Sequence, residues 1–312
     1  ASLVLIRING GTAMMRILGI VGVQVCICVP IIVFQFCKGK EFFSKEYWGY
    51  ALRIGIPIVP HYLSGIILNQ GDRIMIDKMV GKTEVALYGL AYSIGMLVQL
   101  FISGMNSALT PWMYSKIKKG DIRSMRKVLQ LLGIVVVGIA VALMLISPEL
   151  VLIFGSPKYR EAVYVIPPVA ASVFFIFIYN ILSMPQFYYE KTQFLMAASM
   201  AAAGANVVLN FIFIRLFGYI AAGYTTLACY MLYSVGHYIV SKRILVKEGI
   251  QENLMNPGFL VACAVFLIGA SIICNLIFPY RILRYAILLA SAGLVFWKKE
   301  LLLKTMADIR KK

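Results

Sequence analysis

Nine runs of mostly apolar residues, each near the length of a membrane-crossing helix, leave this chain few media to fold in other than a lipid bilayer. A hydrocarbon core about 30 Å thick needs about 20 residues of helix. The runs cover residues 17–37, 51–76, 85–112, 126–147, 162–185, 192–216, 219–241, 258–278 and 281–297. The connections between them are too short to fold as separate domains. The predicted class is an all-α polytopic membrane protein with about nine transmembrane helices. Composition points the same way. Of 312 residues, 61% are hydrophobic and 14% charged, against about a quarter charged in soluble domains. A water-soluble enzyme, a disordered chain and a disulfide-stapled secreted module all fit this composition poorly.

The residue types that carry most active-site chemistry are scarce. There are two histidines, His61 and His237, and no cluster of His, Asp and Glu. No metal site or cofactor is expected. The six cysteines fall in or beside apolar runs without CxxC spacing, and read as small packing residues. The N-terminus lacks the basic n-region, h-region and cleavage site of a signal peptide. It starts without Met on an apolar stretch. The simplest expectation is a truncated chain; removal of an initiator Met before Ala1 is the alternative.

Charge supplies an orientation. The 30 Lys and Arg outnumber the 13 Asp and Glu, for a net charge of +17. With nine spans, the loops after spans 1, 3, 5 and 7 and the C-terminal tail share one side. That side holds 20 of the basic residues and the other holds 10. Basic residues concentrate in the cytoplasm, so the C-terminus is expected there and the N-terminus outside. Trp48, Trp112 and Trp297 lie near the predicted cytoplasmic ends, as interfacial anchors would. The run from Lys116 to Lys127 reads as a topology determinant touching anionic lipid. It lacks the interleaved aromatics of a nucleic-acid surface, and no nucleic-acid partner is expected.

Span 2 holds the most informative polar residues. Pro57 and Pro60 remove backbone donors and are expected to bend the helix near its cytoplasmic end. At about 100° per residue, His61, Gly65, Asn69 and Asp72 fall within an arc of about 80°, with Arg73 at its edge. Charge at membrane depth is costly and normally faces a bundle interior or a wet cavity. Arg73 therefore reads either as a cavity site for an anionic substrate, whose phosphate oxygens suit a planar guanidinium, or as an interfacial ion pair. Asp72 reads as a structural partner or as a site of proton or cation coupling. His61 reads as a packing hydrogen bond beside Pro60 or as a ligand.

Span 6 carries a strip of small and amide residues at 198, 202, 206 and 210. Asn206 and Asn210 can serve close helix packing or substrate contact. Gln99, Asn106, Asn180 and His237 are isolated polar residues that read as interhelical hydrogen bonders. The 15 methionines read as adaptable packing.

Three stretches resemble one family. The first is Gly55-Ile-Pro57-Ile-Val-Pro60-His61-Tyr-Leu-Ser64 with Asp72-Arg73-Ile-Met-Ile. The second runs from Tyr159-Arg-Glu-Ala162 through Ile166-Pro167-Pro168 to Phe187-Tyr188-Tyr189-Glu190-Lys191-Thr192. The third is Asn206-x-x-Leu209-Asn210 followed by Phe217-Gly218-Tyr-Ile-Ala221-Ala222-Gly223-Tyr-Thr225-Thr226. Together these resemble the polysaccharide-repeat-unit flippases (Wzx-like, O-antigen and capsule exporters) of the multidrug/oligosaccharidyl-lipid/polysaccharide exporter superfamily. The resemblance covers about residues 45–245.

The resemblance implies two six-helix lobes facing a central cavity, with two extra C-terminal helices (a MATE-like plan). Nine spans would then be helices six to fourteen. Residues 1–47 would be the tail of the first lobe, 48–245 the second lobe, and 246–312 the extra pair with a basic cytoplasmic tail. The implied function is translocation of an undecaprenyl-pyrophosphate-linked oligosaccharide across the bacterial cytoplasmic (inner) membrane. Arg73, Asp72, Asn69, His61, Asn206 and Asn210 would line the route, Pro57 and Pro60 would act as hinge, and a proton or sodium gradient would drive transport. Implied partners are the lipid-linked oligosaccharide, anionic lipids at the basic loops, and polysaccharide polymerase machinery. The alternatives are another cargo on the same fold (a peptidoglycan lipid precursor or a drug) and a membrane oligosaccharide polymerase. The polymerase reading fits less well, because the longest predicted outer loop is short.

Overall fold

The computed structural model describes residues 13–40 and 43–297. The side chain of Trp297 and the basic tail after it lie outside the described residues. Every regular element among the described residues is helical: α1 (Ala13–Gly39), α2 (Lys45–Met79), α3 (Lys82–Gly95), α4 (Leu97–Lys118), α5 (Ile122–Phe154), a 3-10 segment (Pro157–Val165), α6 (Ile166–Tyr188), α7 (Thr192–Phe217), α8 (Ile220–Lys247), α9 (Pro257–Ile277) and α10 (Arg281–Trp297). Each of the nine expected spans coincides with helix. Seven are long and apolar enough to cross a membrane by length and composition. The other two are α8 and α10. The 28-residue α8 is less apolar because it carries buried polar residues, including Thr226, Ser234 and His237. The 17-residue α10 is short. The chain is an all-α polytopic membrane protein.

The expected span 85–112 is two helices. The regular α-helix is interrupted at Met96, between Gly95 and Leu97, although Met96 N–H still bonds Tyr92 O at 2.9 Å. Hydropathy does not register this break, because apolar residues continue across it. Tight packing lies beside it. A Cβ on Gly95 would sit 2.7 Å from Val169 Cγ1, so α3 ends in close contact with α6.

The chain divides into two compact units, residues 1–55 and 56–312, with the boundary inside α2 just before Pro57. In the first unit, α1 exposes apolar side chains on all sides, as a helix facing lipid requires. In the second, α6 is the central element. It is buried without interruption from Ile166 to Ile178 and packs against α3, α4, α5, α8 and α9. A helix apolar all round belongs inside a bundle. α8 packs on both α6 and α7.

The α7–α8 connection explains the Gly residues of the third stretch. Gly218 ends α7 with φ +75°, a conformation that favours glycine, and its N–H bonds Ile214 O at 2.9 Å. A Cβ on Gly223 would meet Pro168 at 3.1 Å and Val165 O at 3.3 Å. Another device sits in α5. Pro148 cannot donate to Met144 O, and the Ser147 hydroxyl bonds that carbonyl at 2.8 Å. One residue on, Leu145 O accepts Arg284 Nη1 of α10 at 2.6 Å, and the same guanidinium grips Glu149 with two bonds of 2.8 and 2.9 Å.

Gly95→Ala forces the Val169 contact and is expected to cost about 1–3 kcal/mol. Gly138, on an open face of α5, has nothing within 4 Å of a built Cβ. Gly138→Ala is expected to be neutral, or stabilising by up to about 1 kcal/mol. Thermal unfolding of the two variants in detergent checks the contrast.

Candidate functional site

A cavity of about 720 Å³ opens between α2, the α3–α4 break, α6 and α8. Its polar lining is aromatic and amide: Tyr62, Tyr92, Tyr179, Tyr230 and Tyr233, with Asn69, Gln70, Gln99 and Asn180. His61 is also present, and none of its lining residues is Asp, Glu, Lys or Arg. The hydroxyls order the amides. Tyr92 and Tyr230 donate to Asn69 Oδ1 at 2.8 and 3.4 Å, while Asn69 Nδ2 donates to Gly65 O at 2.7 Å. His61 Nδ1 lies 3.1 Å from the Tyr233 hydroxyl. Tyr233 in turn packs against Tyr179 and His237, each with ring centroids 4.5 Å apart.

Arg73 is half-buried at the edge of this cavity. Its Nη1 donates to Gln70 Oε1 at 2.8 Å, and its guanidinium lies 5.1 Å from the centre of the Tyr92 ring. Both neighbours line the cavity, although Arg73 is one residue removed from the lining itself. Its Nε is buried without a hydrogen-bond partner. No carboxylate pairs with Arg73 among the described residues.

Asp72 points elsewhere and is fully buried. Its carboxylate accepts from the Tyr88 hydroxyl at 2.6 Å, the Thr226 hydroxyl at 2.7 Å and Asn210 Nδ2 at 2.5 Å. Asn210 also donates to Asn206 Oδ1 at 3.2 Å, and Thr225 Oγ1 donates to Asn210 Oδ1. Four helices, α2, α3, α7 and α8, thus meet on one carboxylate. Among the described residues no Lys, Arg or His forms a salt bridge with it. A buried charge held only by neutral donors remains expensive.

The structure therefore divides the expected site residues into two groups. His61 and Asn69 line the cavity, and Arg73 stands at its edge. Asp72, Asn206 and Asn210 form the buried cluster and are not among the lining residues. α2 runs unbroken through Pro57 and Pro60, with Ser64 Oγ bonding Pro60 O at 2.7 Å. Of the isolated polar residues, His237 is an interhelical hydrogen bonder, with Nδ1 2.8 Å from Gln186 Nε2. Gln99 and Asn180 line the cavity. The functional side chains not singled out from the sequence are the tyrosines. A signal existed: Tyr88 and Tyr92 are four apart on α3, and Tyr230, Tyr233 and His237 recur at helical spacing on α8.

Comparison with known proteins bears on this arrangement. The model of the family described as "Polysaccharide biosynthesis protein" matches residues 1–118. A protein of the Lsg locus of Haemophilus influenzae is 28% identical over 172 residues, covering 52% of this chain and 41% of that protein. An uncharacterized membrane protein of the same organism is 29% identical over 191 residues, covering 57% and 46%. The chain spans less than half the length of both relatives. No solved structure matches it. The matches support the resemblance to the polysaccharide flippase family.

Thr226→Val and Tyr88→Phe each remove one donor from Asp72. A hydrogen bond to a charged group contributes about 1.5–3 kcal/mol, so each variant is expected to lose stability in that range. The double variant should depart from additivity, because both donors serve one carboxylate. Unfolding of the four proteins in detergent measures the coupling.

Proposed function

We propose, from its kinship with the polysaccharide flippase family, that this chain forms the cavity-lining lobe of a transporter that moves a polyprenyl-pyrophosphate-linked oligosaccharide across a bacterial cytoplasmic membrane. The observation that carries the reading is the pairing of an uncharged, tyrosine- and amide-lined cavity with one arginine free of carboxylates at its edge. Sugar rings present apolar C–H faces and hydroxyl edges. Aromatic rings and amides match both. A pyrophosphate needs cationic donors, and the Arg73 guanidinium, with an unpartnered Nε, can swing from Gln70 to phosphate oxygens. The polyprenyl tail can stay in lipid. A drug exporter for cations would want acidic groups in the cavity wall, and the lining has none.

The buried cluster suits the coupling role. Uptake of a proton or a monovalent cation by the cluster would offset the cost of the buried Asp72 charge. Oxygen donors suitable for sodium lie around it: the Asp72 carboxylate, the carboxamides of Asn206 and Asn210, and the hydroxyls of Thr225 and Thr226. Because the cluster ties α2 to α7 and α8, loading it would change how α2 is held, and α2 also carries Arg73 and the cavity face. Pro57 and Pro60 would let the helix flex below that point during alternating access. The basic-residue distribution favours a cytoplasmic C-terminus.

In cells whose surface polysaccharide depends on a protein carrying this chain, Arg73→Ala is expected to lower the polysaccharide at least tenfold while membrane levels of the protein stay unchanged. Wild-type polysaccharide in that variant would remove Arg73 from the route. Asp72→Asn is expected to leave binding of the lipid-linked oligosaccharide intact and to abolish the response of transport to an imposed sodium or proton gradient in proteoliposomes.

A further inference from the structure

The basic residues on the face assigned to the cytoplasm are not equivalent. Within the run from Lys116 to Lys127, Lys116 pairs with Asp121 at 2.6 Å, and Arg123 and Arg126 share Glu252 at 3.5 and 3.6 Å. A second group sits where α7 begins and α8 ends. Lys191, Lys242, Arg243 and Lys247 surround a groove of about 530 Å³ whose walls include Phe194, Val240, Ile244 and Val246. None of these four cations forms a salt bridge among the described residues. The lone acid in the groove lining is Glu248.

Helix electrostatics account for part of this group only. A cation in the last turn of α8, such as Lys247, is stabilised by the carbonyl end of the helix. Lys191 precedes Thr192 at the opposite kind of terminus, the positive end of α7, where a cation is disfavoured. Four unpaired cations around an apolar slot are stabilised together by an anion with an apolar body. Phe194 is 52% exposed near the start of α7, and Val246 is 40% exposed near the end of α8.

We infer that this groove is a binding site for an anionic phospholipid of the surrounding leaflet, with its phosphate among Lys191, Lys242, Arg243 and Lys247 and its upper acyl chain against Phe194 and Val240. The site shares no residue with the cavity, so the inference does not rest on the proposed transport reaction.

The test is equilibrium binding of labelled phosphatidylglycerol to the purified full chain in neutral detergent micelles. Each basic residue near an anionic lipid contributes about a fivefold change in affinity. Replacing Lys242, Arg243 and Lys247 together by Gln is expected to weaken binding on the order of 100-fold. Replacing Lys118, Lys119 and Lys127 together by Gln removes equal charge from the other run and is expected to change it less than about threefold. Glu248→Gln should tighten binding severalfold, an effect a misfolded protein would not show. Equal losses in the two triple variants would reduce the effect to loose charge attraction and overturn the site. So would competition by phosphatidylcholine as strong as by phosphatidylglycerol. Stoichiometric displacement by a polyprenyl pyrophosphate, in preference to phosphatidylglycerol, would make the groove a port for that lipid and overturn the assignment to bulk phospholipid.

Discussion

A carboxylate sealed inside a helix bundle without a counter-cation sets the terms for the rest of this molecule. Asp72 is reached by donors from α3, α7 and α8, and it is the point at which α2 is tied to all three. Stripping any one of them leaves a buried charge less satisfied, at a cost that is a sizeable fraction of a domain's net stability. The rotation of α2 is therefore fixed. With Asp72 turned inward, the next residue along the helix, Arg73, is carried about 100° away and out of the cluster. Asn69, one turn earlier, meets Tyr92 and Tyr230 at the cavity wall.

This geometry shows what the sequence could and could not disclose. The apolar runs made the helices legible, because a hydrocarbon slab imposes a length. The polar face of α2 was legible for the same reason. The helical projection, however, discards position along the axis. His61 and Asp72 share an arc, yet lie about 16 Å apart along the helix. That separation is the difference between a cavity wall and a sealed core. Asn206 and Asn210 were likewise visible as a strip, and their direction toward Asp72 was set by α7 packing on α8. The tyrosines were hidden in the hydrophobic count, since a phenol ring is apolar until its hydroxyl finds Asn69 or Asp72. The break at Met96 left no trace in hydropathy because apolar residues continue across it, and the close contact beside it, Gly95 with Val169, joins residues more than seventy apart.

Charge behaves in the same way. Counting Lys and Arg gives an expected side of the membrane, because that expectation depends on the sum. It does not say which of them are already engaged. Asp121 and Glu252 absorb part of the most conspicuous basic run, whereas the smaller group at the α7–α8 end forms no salt bridge among the described residues. Pairing depends on partners distant in sequence, such as Glu252 for Arg123.

The turn of α5 around Pro148 has a consequence for the whole C-terminal segment. A ring that blocks one backbone bond leaves the carbonyl one turn back without that donor, and two successive carbonyls there accept from side chains. One is closed by a neighbouring hydroxyl; the next is answered by a guanidinium that also clasps the carboxylate four residues on. The last helix is thus fastened by a flaw in an earlier one. The address for that fastening is written in α5, 135 to 139 residues upstream of the arginine that reads it. Grafting the terminal helix pair onto another scaffold would transfer the key without its lock unless the proline-bearing turn travelled with it.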